Sequence, residues 1–425
     1  MIRKKAHLSV ALPIAIPSKV GVALLLSLLV ASCLDTNNTA IPTLKWYVVN
    51  EISGAFDEAA RQCSKAAQGA YQIKIVTLPA DASQQRVQLV RRLAAKDTDI
   101  DIIGMDIIWT AEFAEAGWIL PWNGKAASQV RQGRLKSSVE SATYKNQLWA
   151  IPFTSNIQLL WYRTDQVERP PQTWNELIEM AEALGTGTLQ VQGARYEGLT
   201  VLFNSLLASA GGSVLDETGE AVSLEQEPTE KALSIMKRIG TSPASDPSLA
   251  TAREDESRLA FEAGSAFMIN YTYVWPSAHQ NAPRIAAHLG WARWPAAIEG
   301  KPSRVTLGGI NLGVGAYSQY PDLAFQAAAC IASREHQRLA ATKGGLLPTL
   351  ENLYEDPQIE TAFPFANVLQ ATLKDAAQRP SSPLYNDISL AISRTLHPMK
   401  AIDPQEDISK LRKIIDRALR SEGLL

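Results

Sequence analysis

The spacing of apolar positions along the chain switches repeatedly between strand-like and helix-like, and the order of those switches predicts an α/β fold. Leu44 to Val49 is a mostly apolar run of strand length that ends at Asn50-Glu51-Ile52-Ser53. Phe56, Ala59, Ala60 and Cys63 then recur at i, i+3, i+4 and i+7, the spacing of one helix face. Tyr71 to Leu78 reads as a second strand, Arg86 to Ala95 as a helix, Asp99 to Ile103 as a third strand, and Trp109 to Gly117 as a further helix. Such alternation implies parallel strands joined by crossover helices. Ligands of open sheets of this kind sit beyond the carboxyl ends of the strands, the edge where Glu51 and Asp106 fall.

The stretch Ile151 to Asp165 reads as the place where the chain passes from one lobe to another. Pro152 biases Ile151 toward an extended backbone, and Gln158 to Tyr162 resumes as a buried strand. Thr154 and Asn156 lie between the two. A polar step there needs hydrogen-bond partners, which a water- or ligand-filled cleft supplies more cheaply than a core does; an ordinary strand-start turn is the alternative. Thr173-Trp174-Asn175-Glu176 has the form of a capping box opening a helix with Leu177, Met180, Ala181 and Leu184 on one face. Tyr196 to Ala210 is a second long helix that Gly211-Gly212 can end. The charge run Arg253 to Arg258 reads as a solvated helix face, and Phe261 to Ile269 passes from helix into strand. Val305 to Val314 is an apolar strand whose central Gly308 and Gly309 suggest close approach by another group. Helices fill Asp322 to Ala341, Pro357 to Ala377 and Tyr385 to Leu396, and the last carries Ile408, Leu411, Ile415 and Leu419 on one face.

Residues 1–33 read as an address and not as part of the fold. Arg3, Lys4 and Lys5 form a basic segment, Lys19 closes it, and Val20 to Val30 is an apolar core shorter than a membrane span. Val30-Ala31-Ser32-Cys33 resembles the bacterial lipobox, which implies cleavage before Cys33 and lipidation of its thiol; a plain secretory signal with a chance cysteine is the alternative. Removing these residues takes away four basic side chains and no acidic ones, leaving 37 Lys and Arg against 43 Asp and Glu. That balance argues against nucleic acid as a partner. Of the 3 cysteines, Cys63 and Cys330 then remain. An oxidising compartment invites a disulfide between them, and two separate core thiols are the alternative. No HExxH, CxxC or P-loop pattern occurs, so no metal or cofactor is implied.

The lipobox together with DIDIIGMDIIWTAEFAEAGWI, AIPFTSNIQLLWYRTD, PPQTWNEL, YEGL, FEAGSAFMINYTYVWP and TLGGINLGV resembles the extracytoplasmic solute-binding proteins of bacterial ABC importers. The likeness is to the maltose/trehalose-binding branch, most of all to the trehalose-binding lipoproteins, and it runs over nearly the whole mature chain. It implies an α/β, two-lobe periplasmic-binding-protein fold of type II with three interlobe crossings. Residues 42–151 plus 307–355 would form lobe 1, and 155–303 plus 365–425 lobe 2. A monomer tethered outside the cytoplasmic membrane would capture a disaccharide and hand it to the permease subunits, which a cytoplasmic ATPase drives.

The same resemblance assigns candidate contacts. A disaccharide offers hydroxyls and apolar C–H faces, so its site needs carboxylates, amides and aromatic plates. Glu51 and Asp106 would accept hydroxyl bonds from lobe 1, with Asp106 alternatively an N-cap for the helix at Ile107. Asn156 stands where relatives often carry Asp, and Thr154 where some carry Tyr. Glu197 of YEGL would face the cleft from lobe 2, a surface carboxylate being the alternative. Tyr271, Tyr273 and Trp275 would supply plates, or be ordinary core aromatics. The Gly309 amide is a contact in the family, although Ile310 replaces the Trp found beside it in some relatives. Arg379, and less strongly Arg86, would be fork-shaped donors to adjacent hydroxyls, or members of surface ion pairs. A secreted glycoside hydrolase using two of Glu51, Asp106 and Glu197 is a different class of function; it would need two carboxyls about 5 to 9 Å apart. A non-sugar solute on the same fold is a third.

Overall fold

The apolar stripes bury into two separate cores, each built on its own sheet. The protein is described by a computed structural model that covers residues 41–422; the signal and lipobox Cys33 lie outside the described residues. The strands are β1 (Thr43–Val49), β2 (Gln72–Leu78), β3 (Ile102–Asp106), β4 (Ala150–Asn156), β5 (Gln158–Arg163), β6 (Phe267–Tyr271), β7 (Leu289–Ala292) and β8 (Gly308–Gly315), with shorter pieces at the sheet margins.

In the first sheet β1 lies between β2 and β3 and is parallel to both, as the strand–helix alternation requires. The order then runs β3, β8, β4 and the two-residue strand Leu347–Pro348, with β8 antiparallel to β3 and β4. Leu44, Trp46, Ile102, Ile103, Phe113, Phe153, Leu312 and Val314 form its core. In the second sheet β5 is antiparallel to β6 and β7, and Trp161, Leu199, Phe203, Met268, Phe365 and Ile392 are among its core.

The chain passes between the lobes three times. β4 ends at Asn156 in the first sheet and β5 begins at Gln158 in the second, so Ile157 makes the first crossing. Residues 306 and 307 lead back into β8, with Ala377 alongside: Leu307 N donates to Ala377 O and Ala377 N to Val305 O, both at 2.9 Å. The third departure is shared between the lobes. Leu347 pairs with Ser155 in the first sheet, while its side chain and that of Tyr354 are buried in the second core.

Several local readings are corrected. The third strand starts three residues later than the apolar run suggested and ends on Asp106 itself. The polar step at Thr154 and Asn156 is no turn: Thr154 is buried within β4 and Asn156 is its last residue, and between them Ser155 Oγ meets Ser138 Oγ at 3.0 Å. Thr173 accepts from the Glu176 amide, and the Glu176 carboxylate reaches back chiefly to the amide of Gln172, at 2.5 Å, with that of Thr173 a weaker partner. Gly309 is required by the backbone: its φ is 138°, and a Cβ there would lie 2.1 Å from the carbonyl oxygen of Thr154, at the register shift between Ile310 and Asn311. The close approach predicted from the glycines is therefore made by the neighbouring strand.

Cys63, on the helix Ala55–Ala66, and Cys330, on the helix Pro321–Ile331, are joined as a disulfide with their Cα atoms 5.9 Å apart. Both helices pack on the first lobe.

Candidate functional site

Asp106 closes β3, and its Oδ1 accepts from the amide of Ile108 at 3.2 Å, starting the short turn Ile107–Trp109. The same oxygen accepts from Arg379 Nη2 at 3.1 Å. Cap and site candidate are therefore one and the same carboxylate. Arg379 comes from the second lobe, between the helices Ala366–Asp375 and Tyr385–Leu396, and is only 6% exposed. Its Nη1 donates to Glu197 Oε1 at 2.9 Å.

Glu197 is the first residue of the helix Glu197–Ala210, where a carboxylate favours the free amide end. Two hydroxyls one turn apart on the helix Tyr385–Leu396 also reach it: Tyr385 donates to Oε1 and Ser389 to Oε2, each at 2.5 Å. Ser389 in turn meets Thr200 Oγ1 at 3.0 Å. One guanidinium thus joins a carboxylate from each lobe. Burial opposes the charge on Arg379, but Asp106 and Glu197, with Tyr385, outweigh it and hold its pKa above the usual arginine value. Burial pushes the Glu197 carboxyl up, against the downward pull of Arg379 and of the Ser389 and Tyr385 hydroxyls.

Cavities adjoin both sides of this cluster. Glu197 faces one of about 290 Å³, lined by Arg86, Trp109 and Glu112 of the first lobe and by Tyr196, Arg253 and Tyr385 of the second. Arg379 faces another of about 220 Å³, between Thr110, Glu140 and Thr143 and the segment 378–381. A wider cavity of about 740 Å³ shares Glu140, Thr143 and that segment. Around the cluster and the first cavity stand four arginines (Arg86, Arg195, Arg253, Arg379) and four carboxylates (Asp81, Asp106, Glu112, Glu197), a formally neutral set. Among the described residues the Nε of Arg379 is buried without a hydrogen-bond partner, and the hydroxyl of Tyr196 is buried beside the Glu254 carboxylate.

The charge run at Arg253 is not simply a solvated face. Arg253 lies 4.8 Å over the Tyr196 ring and pairs with Asp81 of the other lobe at 2.8 Å, and burial pushes the Glu254 carboxyl up. A further cross-lobe bond runs from Gln378 Nε2 to the Ser137 carbonyl at 2.8 Å.

The remaining candidates are placed more variously. Arg86 lines the first cavity with its fork already held by Glu112, at 2.7 and 2.5 Å. Glu51 turns its carboxylate onto its own chain, accepting from the amides of Ser53 and Ala55 at 2.7 and 2.8 Å. Tyr271 is half-buried at the end of β6; burial raises its hydroxyl, as does the charge of Glu254, and Arg379, Asp106 and Glu197 also act on it. Tyr273 donates to Asp255 at 3.3 Å. The Trp275 ring packs with Trp291 (5.4 Å) and Phe365 (5.6 Å), with His279 at 4.1 Å, so it is an aromatic of the second lobe's core region. Asn156 lies near Arg379 across Gly308. None of Glu51, Thr154, Asn156, Tyr271, Tyr273, Trp275 or Gly309 lines the three cavities above.

Trp109, Tyr196, Tyr385 and Ser389 were not predicted. Trp109 and Tyr196 sit three residues after Asp106 and one before Glu197, inside the motifs that pointed to those carboxylates. Tyr385 and Ser389 carried only the i, i+4 spacing of a helix face, which gives no sign of the carboxylate they meet.

Residues 51–338 match the family described as bacterial extracellular solute-binding protein. A probable ABC transporter-binding protein of Deinococcus radiodurans is 30% identical over 344 residues, 76% of this chain and 81% of that one. Among solved structures, the maltose-bound MalE3 of T. maritima superposes with a TM-score of 0.80 at 27% identity, covering 90% of this chain and 100% of that one. The GacH receptor of Streptomyces glaucescens, solved unliganded and with acarbose, gives 0.79 at 20% identity over 89% and 98% of the two chains. Among the described residues no helix is long and apolar enough to cross a membrane. The chain is a member of the bacterial extracellular solute-binding protein family and has its two-lobe α/β fold.

Proposed function

We propose that the protein captures a neutral α-linked disaccharide, trehalose first and maltose-like sugars second, in the cleft between its lobes, and that it delivers the sugar to the permease of an ABC importer while anchored to the membrane through Cys33. The observation that carries this reading is the cluster Asp106–Arg379–Glu197, which brings charge-assisted hydrogen-bonding groups from both lobes beside a cavity of about 290 Å³. Pocket volumes of roughly 300 Å³ and upward hold small ligands. The neutral balance of arginines and carboxylates suits an uncharged polyol. Trp109 and Tyr196 bring aromatic surface for sugar C–H faces, whereas the expected Tyr271, Tyr273 and Trp275 do not line that cavity. The likeness to the maltose-bound MalE3 structure is in keeping with an α-glucoside.

The hydrolase reading is less well supported. A hydrolase needs two carboxyls free to flank a scissile bond, whereas Asp106 and Glu197 share one arginine and Glu51 accepts from its own backbone. Only a ligand with differential affinity for the closed lobes can shift their equilibrium. The test is a change in tryptophan fluorescence on adding neutral disaccharides, amino acids and polyamines in turn, with assay of released glucose. Saturation by trehalose without glucose release is expected; glucose release, or a response only to a charged solute, would overturn the proposal.

A further inference from the structure

The groups around Glu197 fill both acceptor directions of Oε1 and one of the two on Oε2. Arg379 and Tyr385 occupy Oε1 and Ser389 occupies Oε2. Ser389 is itself tied down, since Thr200 Oγ1 meets its hydroxyl at 3.0 Å and donates to its carbonyl at 3.1 Å. Tyr385 and Ser389 are 2% and 7% exposed, so their bonds form away from bulk water, where a bond to a charged group is worth most. Arg379 lies at the far end of this chain of bonds, and among the described residues of the set it is the one that hydrogen-bonds to the other lobe, through Asp106.

We infer that Glu197, Tyr385 and Ser389 are positioning residues: they do not themselves grip the sugar but hold the Arg379 guanidinium at the one orientation from which it reaches Asp106, so that closure of the two lobes is set from inside the second lobe. The inference deepens the functional proposal, since it concerns the closing of the same cleft. It assigns to Glu197 a role different from the direct sugar contact expected from the sequence, and it gives Tyr385 and Ser389 a role in affinity that neither a motif nor exposure would suggest. An arginine side chain has several rotatable bonds. Losing its Glu197 partner frees it to sample positions that leave Asp106 unpaired, and the closed arrangement loses its cross-lobe bond.

The test uses spin labels on added cysteines at the exposed positions Val87 and Leu259, one on each lobe, with the native disulfide left intact. The lobe separation is measured without ligand, and the trehalose affinity by titration, for the wild type, Ser389→Ala, Tyr385→Phe, Arg379→Ala and each of the first two combined with Arg379→Ala. The single variants are expected to widen the ligand-free distance distribution and to weaken trehalose binding about tenfold, from the loss of one bond to a charged group. Combined with Arg379→Ala they should add no more than about twofold, because their effect passes through that arginine. A merely structural role would leave the lobe distance alone and add its full loss to that of Arg379→Ala. Ser389→Ala and Tyr385→Phe that keep the wild-type distance distribution overturn the inference, as do effects that add fully to Arg379→Ala. If no sugar binds the wild type, the functional proposal fails by itself, and the ligand-free distances still decide the role of the three residues. Unchanged thermal melting of Ser389→Ala confirms that the fold is intact; should that variant melt early, Tyr385→Phe gives the same reading.

Discussion

Replacing Arg379 with alanine should destabilise the protein in a way that depends on pH with a definite sign. The arginine side chain is 4% exposed, and its partners Asp106 and Glu197 are 24% and 17% exposed. Removing one member of a buried ion pair costs about 3–5 kcal/mol when the other is left without compensation. Here Glu197 keeps the Tyr385 and Ser389 hydroxyls, Asp106 keeps the Ile108 amide, and both carboxylates retain some water. A loss of roughly 2–3 kcal/mol at pH 7 is therefore expected. Burial already holds the Glu197 carboxyl above its unfolded value, and without the arginine the cation paired directly with it no longer opposes that burial. Between the unfolded and folded pKa values the native state then binds more protons than the unfolded state, so stability falls as pH rises and is recovered as pH drops toward the unfolded value. Urea unfolding followed by tryptophan fluorescence at pH 7 and pH 5 measures both quantities. The variant should lie closer to the wild type at pH 5 than at pH 7. An Arg379→Ala protein as stable as the wild type at pH 7, or a deficit that grows on acidification, would refute the assignment of Arg379 as counterion to two buried carboxylates.

Other consequences can be checked in the same way. Asp356 N-caps the helix Pro357–Ala362 through the Gln358 amide and lies beside Arg338 and Arg334, and these hold its carboxyl below the usual range. Asp356→Ala should cost about 1 kcal/mol at neutral pH. Because the folded pKa is depressed, that deficit should disappear as pH falls through it, which urea melts at pH 7 and pH 2.5 would show. Replacing Cys63 and Cys330 with serine opens a loop whose ends are 267 residues apart and should cost about 2–5 kcal/mol in urea unfolding; an unchanged midpoint would mean that the bond does not form in solution. Gly309→Ala forces a Cβ against the Thr154 carbonyl at an unfavourable φ and should cost about 2 kcal/mol or more in thermal melts, whereas Gly308→Ala, whose Cβ would meet only ordinary contacts, should cost less.

Much of the fold was legible because hydrophobic spacing records which faces are buried. The alternation from Leu44 onward foretold the parallel β2-β1-β3 arrangement, and Tyr196–Gly211 was read to within a residue because Gly211 supplies the left-handed C-cap, φ 95°, that a side chain would resist. Boundaries set by tertiary pairing were missed. Asp99 and the residues after it look strand-like, yet pairing with β8 holds the strand only from Ile102 to Asp106. At the site, Asp106 and Glu197, expected from motifs, and Arg379, expected from the family resemblance, converge in one cluster. What the sequence could not carry was that one arginine binds both carboxylates across the lobes, or that Glu51 spends its oxygens on its own backbone. The pairing of Arg253 is hidden for a similar reason: its partner Asp81 is 172 residues away, and a charge run carries no sign of what faces it.

The most direct measurement is calorimetric titration of the soluble protein beginning at residue 34 with trehalose, maltose, sucrose and a longer maltodextrin, beside the same titration of Asp106→Ala. Saturable one-to-one binding of trehalose that is lost in the variant is the predicted result, since Asp106 is the carboxylate through which the first lobe meets Arg379. Silence with every sugar from folded, ligand-free protein, or trehalose binding that Asp106→Ala leaves unchanged, would contradict a disaccharide site at this cluster.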